Sequence, residues 1–351
     1  MSLAVRWIVT CVVLSLVFAW AFTLGSGSLS VLAHKPVTAR YAFYSDVLPV
    51  LQSRCLGCHT PDGPAPMPFG SYENTRPWAQ AIKEKILEQG MPPWFAERGF
   101  ELLAGDGGLS AREIDILADW ATGGAPAGRR TLPDVSKKPP SRSAEPSTGF
   151  ETLVYSVPAG ESVAEFSLEL QTDRFLAAWR IEPGDAGTFL GATLARGGES
   201  LGTWVVGRDE SQWPESAGMR LPIGSRLRVE IHRGRFSSDE GGGEPGPTRL
   251  RLTLHKTKPP MEVRSALAST PRALPAGSWR ILSFFPAPGS GGRLILGSST
   301  AAKIIPVKQS WPLLYKFAEP PLLSDSAQIS WEPDGAPGAV WVFYAAAVLR
   351  D

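Results

Sequence analysis

The sequence predicts a multidomain chain: a small all-α domain, then an all-β region built as two jelly-roll or β-sandwich domains. Three observations carry this. Apolar residues recur at helical spacing, with capping signals, between residues 43 and 124. Beyond residue 150 the period changes to two. Between them lies a polar stretch rich in Pro and Ser, read as an extended linker. The expected boundaries are a signal peptide or membrane anchor over 1–33, the helical domain over 36–130, the linker over 131–149, and β domains over 150–258 and 259–351.

The N-terminus has the form of an export signal. Arg6 precedes an apolar run from Trp7 to Leu24, and Val31-Leu32-Ala33 offers small residues at a cleavage site. The run is long for a cleaved leader and short for a span. Cleavage is favoured, with retention of residues 7–24 as an anchor the alternative. Cys11 lies early in the run, reads as a small hydrophobe and does not mark a lipid anchor.

Three helices are expected next. Asp46 can cap the first, Pro49 fits its first turn, and Phe43, Val47, Val50 and Leu51 share a face. The second starts near Thr75 with Pro77 in its first turn, buries Ala79, Ile82 and Ile86, and stops at Gly90. Ser110 and Glu113 form a capping box for the third, whose expected buried face is Ile114, Leu117, Ala118 and Ala121.

The first helix runs into Cys55-Leu56-Gly57-Cys58-His59, the C-x-x-C-H signature of covalent haem attachment. Two thiols at this spacing reach the two vinyl groups of one porphyrin, and the next residue supplies an imidazole to the iron. The chain has three cysteines and four histidines. A structural zinc site wants four Cys or His ligands, and no second pair is present. A thioredoxin-like dithiol belongs after a strand, which the flanking sequence does not show; a plain Cys55–Cys58 disulfide stays open. For the sixth iron position Met91 is preferred, because Pro92-Pro93-Trp94 stiffens its loop. Met67, eight residues past His59, is the alternative. Trp78, Trp94, Phe95 and Trp120 are candidates to wall the haem.

In the β region, Leu227, Val229 and Ile231 alternate with polar residues, as do Leu250, Leu252 and Leu254, and Phe166, Leu168 and Leu170. Pro158-Ala159-Gly160, Pro183-Gly184, Pro222-Ile223-Gly224 and Pro275-Ala276-Gly277 punctuate the strands. Many short strands at this spacing argue for sandwiches or jelly rolls. A formal net charge of +1 gives no reason to expect nucleic acid as a partner.

Residues 41–128 resemble a class I-type monohaem bacterial cytochrome c domain. The resemblance rests on Asp46-Val47-Leu48-Pro49, Cys55 to His59, Ala65-Pro66-Met67-Pro68, Arg76-Pro77-Trp78-Ala79 and Met91-Pro92-Pro93-Trp94. It implies iron ligation by His59 and Met91. A weaker resemblance, to copper type II ascorbate-dependent monooxygenases of the peptidylglycine-hydroxylase kind, rests on Asp173-Arg174-Phe175 through Gly184, Leu201-Gly202-Thr203-Trp204, Gly218-Met219-Arg220-Leu221-Pro222 and Ile231-His232. The copper ligands that family requires are missing: Thr188-Phe189-Leu190-Gly191 and Ala287-Pro288-Gly289 stand where its histidines belong, and His232 alone matches. His255 is a spare histidine with no partner of the kind.

These readings make the chain an exported, periplasmic, monohaem electron carrier and not an enzyme. It would hold one covalent haem c through Cys55, Cys58, His59 and Met91, without copper, and its β domains would serve as scaffold or docking module for an unnamed redox partner. The alternatives are a haem-linked copper monooxygenase-like enzyme and a haem-based redox or gas sensor.

Overall fold

The strand pairing is nested, and that nesting gives the architecture. The computed structural model describes residues 38–130 and 149–347, apart from 62, 64, 66, 98, 101–102, 105–107, 159, 185–188, 208–212, 235–246, 307–310, 325–326 and 336. The expected leader or anchor over 1–33, and the expected linker over 131–149 except its last residue, lie outside the described residues. Ala39–Asp351 form one compact unit.

Two sets of strands follow the helical segment. The first is β2 (Phe150–Val157), β3 (Val163–Ser167), β4 (Arg174–Glu182), β5 (Phe189–Arg196), β6 (Glu199–Val205), β7 (Ala217–Leu221), β8 (Arg226–Arg233) and β9 (Thr248–His255). Within it β2 pairs β9, β3 pairs β8, β4 pairs β7 and β5 pairs β6, all antiparallel. This is a long hairpin rolled on itself, the eight-stranded jelly roll. Its two sheets run β2-β9-β4-β7 and β3-β8-β5-β6.

The second set repeats the plan. It comprises β10 (Met261–Ala268), β11 (Arg272–Ala273), β12 (Trp279–Pro286), β13 (Gly292–Leu296), β14 (Ser299–Ile304), β15 (Tyr315–Phe317), β16 (Leu322–Leu323), β17 (Gln328–Pro333) and β18 (Val340–Ala346). Here β10 pairs β18, β11 pairs β17, β12 pairs both β15 and β16, and β13 pairs β14. The two rolls join where β10 lies parallel to β7, with Met261 opposite Ala217 and Val263 opposite Met219. One ten-stranded sheet therefore crosses residue 258, and one apolar core fills both rolls.

The period-two runs behave as their pattern dictates. In β8, Leu227, Val229 and Ile231 are buried while Arg226, Arg228 and Glu230 are exposed. In β9, Leu250, Leu252 and Leu254 are fully buried. At Pro222-Ile223-Gly224 the Ser225 amide donates to the Pro222 carbonyl at 3.1 Å, and Gly224 takes φ +75°, a type II turn.

The helical segment holds α1 (Leu48–Arg54), entered through a π-turn at Phe43–Val47, then α2 (Tyr72–Thr75), a 3-10 turn at Arg76–Trp78, α3 (Ala79–Leu87) and α4 (Ala111–Thr122). Ser110 and Glu113 form the expected capping box. Asp46 acts differently from expectation: its carboxylate accepts the Ala42 amide at 3.0 Å from inside the first turn. The second helical run starts earlier than expected, because the Ser71 hydroxyl accepts the Asn74 amide at 3.2 Å. It ends at Gln89, in left-handed conformation at φ 56°, before Gly90 is reached. The buried face of α4 is Ile116, Leu117, Trp120 and Ala121, rotated from the one expected.

The expected all-α domain of the cytochrome c class needs correction. The longest helix among the described residues has 12 residues, and the segment is stitched into the second roll. β1 (Leu103–Ala104) pairs with β15 as an added edge strand, Leu103 opposite Phe317. Ala96 bridges Ile304, and Phe95 is buried in the β core. The physical reason is edge coverage: β15 would otherwise present unpaired backbone groups.

Trp120 is fully buried, with its indole N–H donating to the Pro126 carbonyl at 3.0 Å. Trp120→Ala should cost about 3–5 kcal/mol, read as a lowered denaturant midpoint at unchanged slope. A loss under about 1 kcal/mol would show that this helical core is loosely packed.

Candidate functional site

The residues from Cys55 to Phe69 fold into one hydrogen-bonded loop at the end of α1. The amides of Cys58 and His59 both donate to the Cys55 carbonyl, at 3.1 and 2.9 Å, so both thiols and the imidazole leave one tight turn. The loop then doubles back. The Ala65 amide donates to the Cys58 carbonyl at 3.2 Å, and the Phe69 amide to the His59 carbonyl at 3.0 Å. Gly63 permits the close passage: a Cβ there would lie 2.1 Å from the Cys58 carbonyl oxygen.

His59 is the best-defined group. Its Nδ1 lies 2.7 Å from the Met67 carbonyl oxygen. A carbonyl only accepts, so Nδ1 carries the hydrogen and Nε2 keeps the lone pair. Phe69 stacks on the ring at 4.2 Å between centroids and 14° between planes. Thr75 in turn donates to the Phe69 carbonyl at 3.1 Å, tying the stack to α2. Burial lowers the His59 pKa, with the bond to Met67 opposing. Burial thus disfavours the charged ring, and the Met67 carbonyl and Phe69 hold it in orientation, as a metal-binding histidine with a carbonyl behind it is held.

No disulfide joins Cys55 and Cys58. Burial pushes Cys55 up to about 12, with Cys58 and Glu113 adding and Arg54 opposing. A thiol exchanging disulfides at neutral pH needs a lowered value, so Cys55 is poorly suited to that chemistry. The Cys58 thiol points to the Val206 carbonyl at 3.5 Å, in the turn after β6.

The other sequence candidates are dispersed. Met67 packs on the helical core, behind His59. Met91 lines a cavity of about 340 Å³ with Ile86, Trp94, Leu109, Ile114 and Ile305, and Cys55, Cys58 and His59 do not line it. Trp94 meets Tyr315 of β15 edge-on at 5.0 Å, Trp120 sits in the helical core, and Trp78 is half exposed. Of the aromatic residues near the motif, Phe69 is the one on His59, and sequence reading passed it over. Its signal was its place, ten residues on, at the end of the Pro-rich loop. His232 lies on β8 opposite Gly191, its Nε2 buried without a hydrogen-bond partner. His255 ends β9, buried, with Nε2 3.0 Å from the Ala217 carbonyl oxygen.

No family model matches the chain, and no curated protein matches it. Among solved structures, the major capsid protein P2 of bacteriophage PM2 is 9% identical, with a TM-score of 0.25 over 57% of this chain and 99% of that one. A chain of Sulfolobus turreted icosahedral virus gives 12% identity and a TM-score of 0.22 over 57% and 90%. A turret protein of the same virus gives 12% and 0.15 over 57% and 98%. At such scores nothing of their assembly or function carries over to this chain.

The resemblances drawn from sequence do not survive. Among the described residues the chain is mostly β with short helices, its helical segment joins the sheet of the second roll through β1, and no group of three His, Cys, Asp or Glu gathers. The assignment to a class I-type monohaem cytochrome c fused to a copper type II monooxygenase-like module is withdrawn. Short motifs and local caps carried it, and a helical segment sewn to a double roll satisfies them equally well. His232 and His255 lie on strands of different sheets.

Arg54, just before Cys55, grips Glu113 at the start of α4, with Nε to Oε1 at 2.9 Å. Burial raises the Glu113 pKa, but hydrogen bonds from Arg54 and Ser110 outweigh it and hold the carboxyl below its ordinary range. Folding thus favours the ionised form. Its contribution is full above the ordinary carboxylate range and fades as pH falls through the lowered folded value. Glu113→Gln should cost about 1–2 kcal/mol at neutral pH, with the gap to the parent closing in acid. A gap constant across pH, in denaturant titrations, would refute the charge-based account.

Proposed function

We propose that the Cys55–His59 loop holds one covalently attached haem c, and that the chain is an exported, periplasmic electron carrier. The observation that carries this reading is His59, with Nδ1 donating to the Met67 carbonyl, in the same tight turn as Cys55 and Cys58. Haem iron asks the protein for one or two axial atoms only, so a lone anchored imidazole suits it where copper or zinc would need more donors. Each thiol would add across one vinyl group: the S–H bond and the C=C π bond would be consumed, a C–S and a C–H bond would form, and nothing would leave. The bound group supplies an Fe(III)/Fe(II) couple.

Met91 is proposed as the sixth ligand. The Met67 carbonyl occupies Nδ1 of His59, so Nε2 would be the nitrogen offered to iron, and Met67, held on the other side of the ring, would leave the sixth position to another residue. Copper and catalysis form no part of the proposal. The double roll is proposed as scaffold and docking surface for a redox protein, with the N-terminal run over 7–24 as leader or anchor. No helix among the described residues is long and apolar enough to cross a membrane.

The reduced pyridine adduct of the exported chain should show a haem whose two vinyls are saturated, and its colour should stay with the protein in acidified acetone. His59→Ala should abolish the native spectrum. Met91→Ala, and not Met67→Ala, should remove the far-red band of a methionine–iron bond. A colourless chain, or pigment released by acid acetone, would refute the proposal.

A further inference from the structure

The attachment loop is built against the first jelly roll. The Cys58 thiol contacts the Val206 carbonyl at 3.5 Å. A Cβ on Gly57 would lie 3.0 Å from the Gly207 carbonyl oxygen, and a Cβ on Gly207 would lie 2.3 Å from the Cys58 sulfur and 2.9 Å from the Gly57 oxygen. Two glycines thus face each other, with the sulfur in the space their missing side chains leave. The turn behind it is firm: Val206 is buried and its amide donates to the Leu190 carbonyl in β5 at 3.2 Å. Gly207 itself takes φ +77°, a conformation in which glycine is the economical choice.

We infer that the Val206–Gly207 turn seats the Cys58 sulfur, making Gly207 a positioning residue for the second haem attachment point. This rests on the haem reading for the role of the sulfur, and on the contacts alone for the seat. A thioether at Cys58 would leave the sulfur in the same place, between the turn and the porphyrin edge. The first roll would then fix the orientation of that edge, although 148 residues separate Cys58 from Val206.

Gly224 provides the control. It has nearly the same backbone, φ +75°, and a Cβ there meets nothing within 4 Å. Gly207→Ala and Gly224→Ala therefore share the left-handed penalty, and only the first presses on sulfur. In the exported full chain Gly207→Ala should lower the melting temperature by about 4 °C or more beyond Gly224→Ala. At least half of that excess should vanish when Cys58→Ala removes the sulfur, as a double-mutant cycle reads. If Gly207→Ala alone does not fold, the Gly207→Ala/Cys58→Ala pair should, and Gly57→Ala, pressing from the other side, should give a smaller loss. Equal losses for Gly207→Ala and Gly224→Ala, or an excess undiminished without the sulfur, would overturn the inference. Intact mass of each variant reports haem separately. A colourless chain refutes the attachment reading while leaving the cycle able to judge the seat.

Discussion

Every sheet in this chain has to answer for its edges. A rolled hairpin satisfies its inner backbone groups through nested pairs, but the last strand of one sheet in each roll still presents a row of donors and acceptors. In the first roll that strand is β7, and β10 covers it in parallel. In the second roll the equivalent strand is β15, and two residues of the helical segment, Leu103 and Ala104, cover it. The same need, met twice, makes a single ten-stranded sheet and pulls the helical segment onto the body.

That segment is therefore held at two places. Ala96, Glu97, Leu103 and Ala104 are bound to the second roll through β1, the Ala96–Ile304 bridge, the Glu97 amide to the Lys303 carbonyl at 2.8 Å, and the ion pair of the same two residues at 2.7 Å. The pair is about one third exposed on each side, so its value lies more in register than in energy. The Gly57-Cys58 corner rests on the turn after β6. Between these points the helices pack on Phe43, Leu51, Leu117 and Trp120. The candidate site thus sits on a scaffold fixed from both rolls, and its own groups are fixed in series: Thr75 holds Phe69, Phe69 covers His59, and Met67 orients it.

Much of this was legible where the cause is local. The alternation in β8 and β9, the capping box at Ser110 and the turn at Pro222 are properties of neighbouring residues, and each is found where the sequence put it. What escaped is non-local. A two-residue strand leaves no periodic trace, so β1 could not be foreseen, and without it the helices looked like a free bundle. The glycines at 57 and 207 are ordinary in sequence and meaningful only when face to face. Trp94 and Phe95, candidates for either haem wall or ordinary core, pack on the β core, Trp94 against Tyr315. The family likeness failed for the same reason: it was assembled from short fragments, each explicable by local chemistry, with nothing to constrain how they pack together.

The distance between paired residues has a kinetic consequence. Glu97 meets Lys303 across 206 positions, and β1 waits for β15, which itself lies inside the hairpin closed by β10 and β18. Loop-closure entropy makes such contacts late events. Emerging from its N-terminus, the nascent polypeptide presents the thiol-bearing corner long before the strands that will clamp it exist. For that interval Cys55 and Cys58 belong to an open chain, accessible to whatever chemistry modifies them. Folding of the first roll, which supplies the Val206–Gly207 turn, then closes the window on Cys58, so the order of synthesis sets the time in which that sulfur can react.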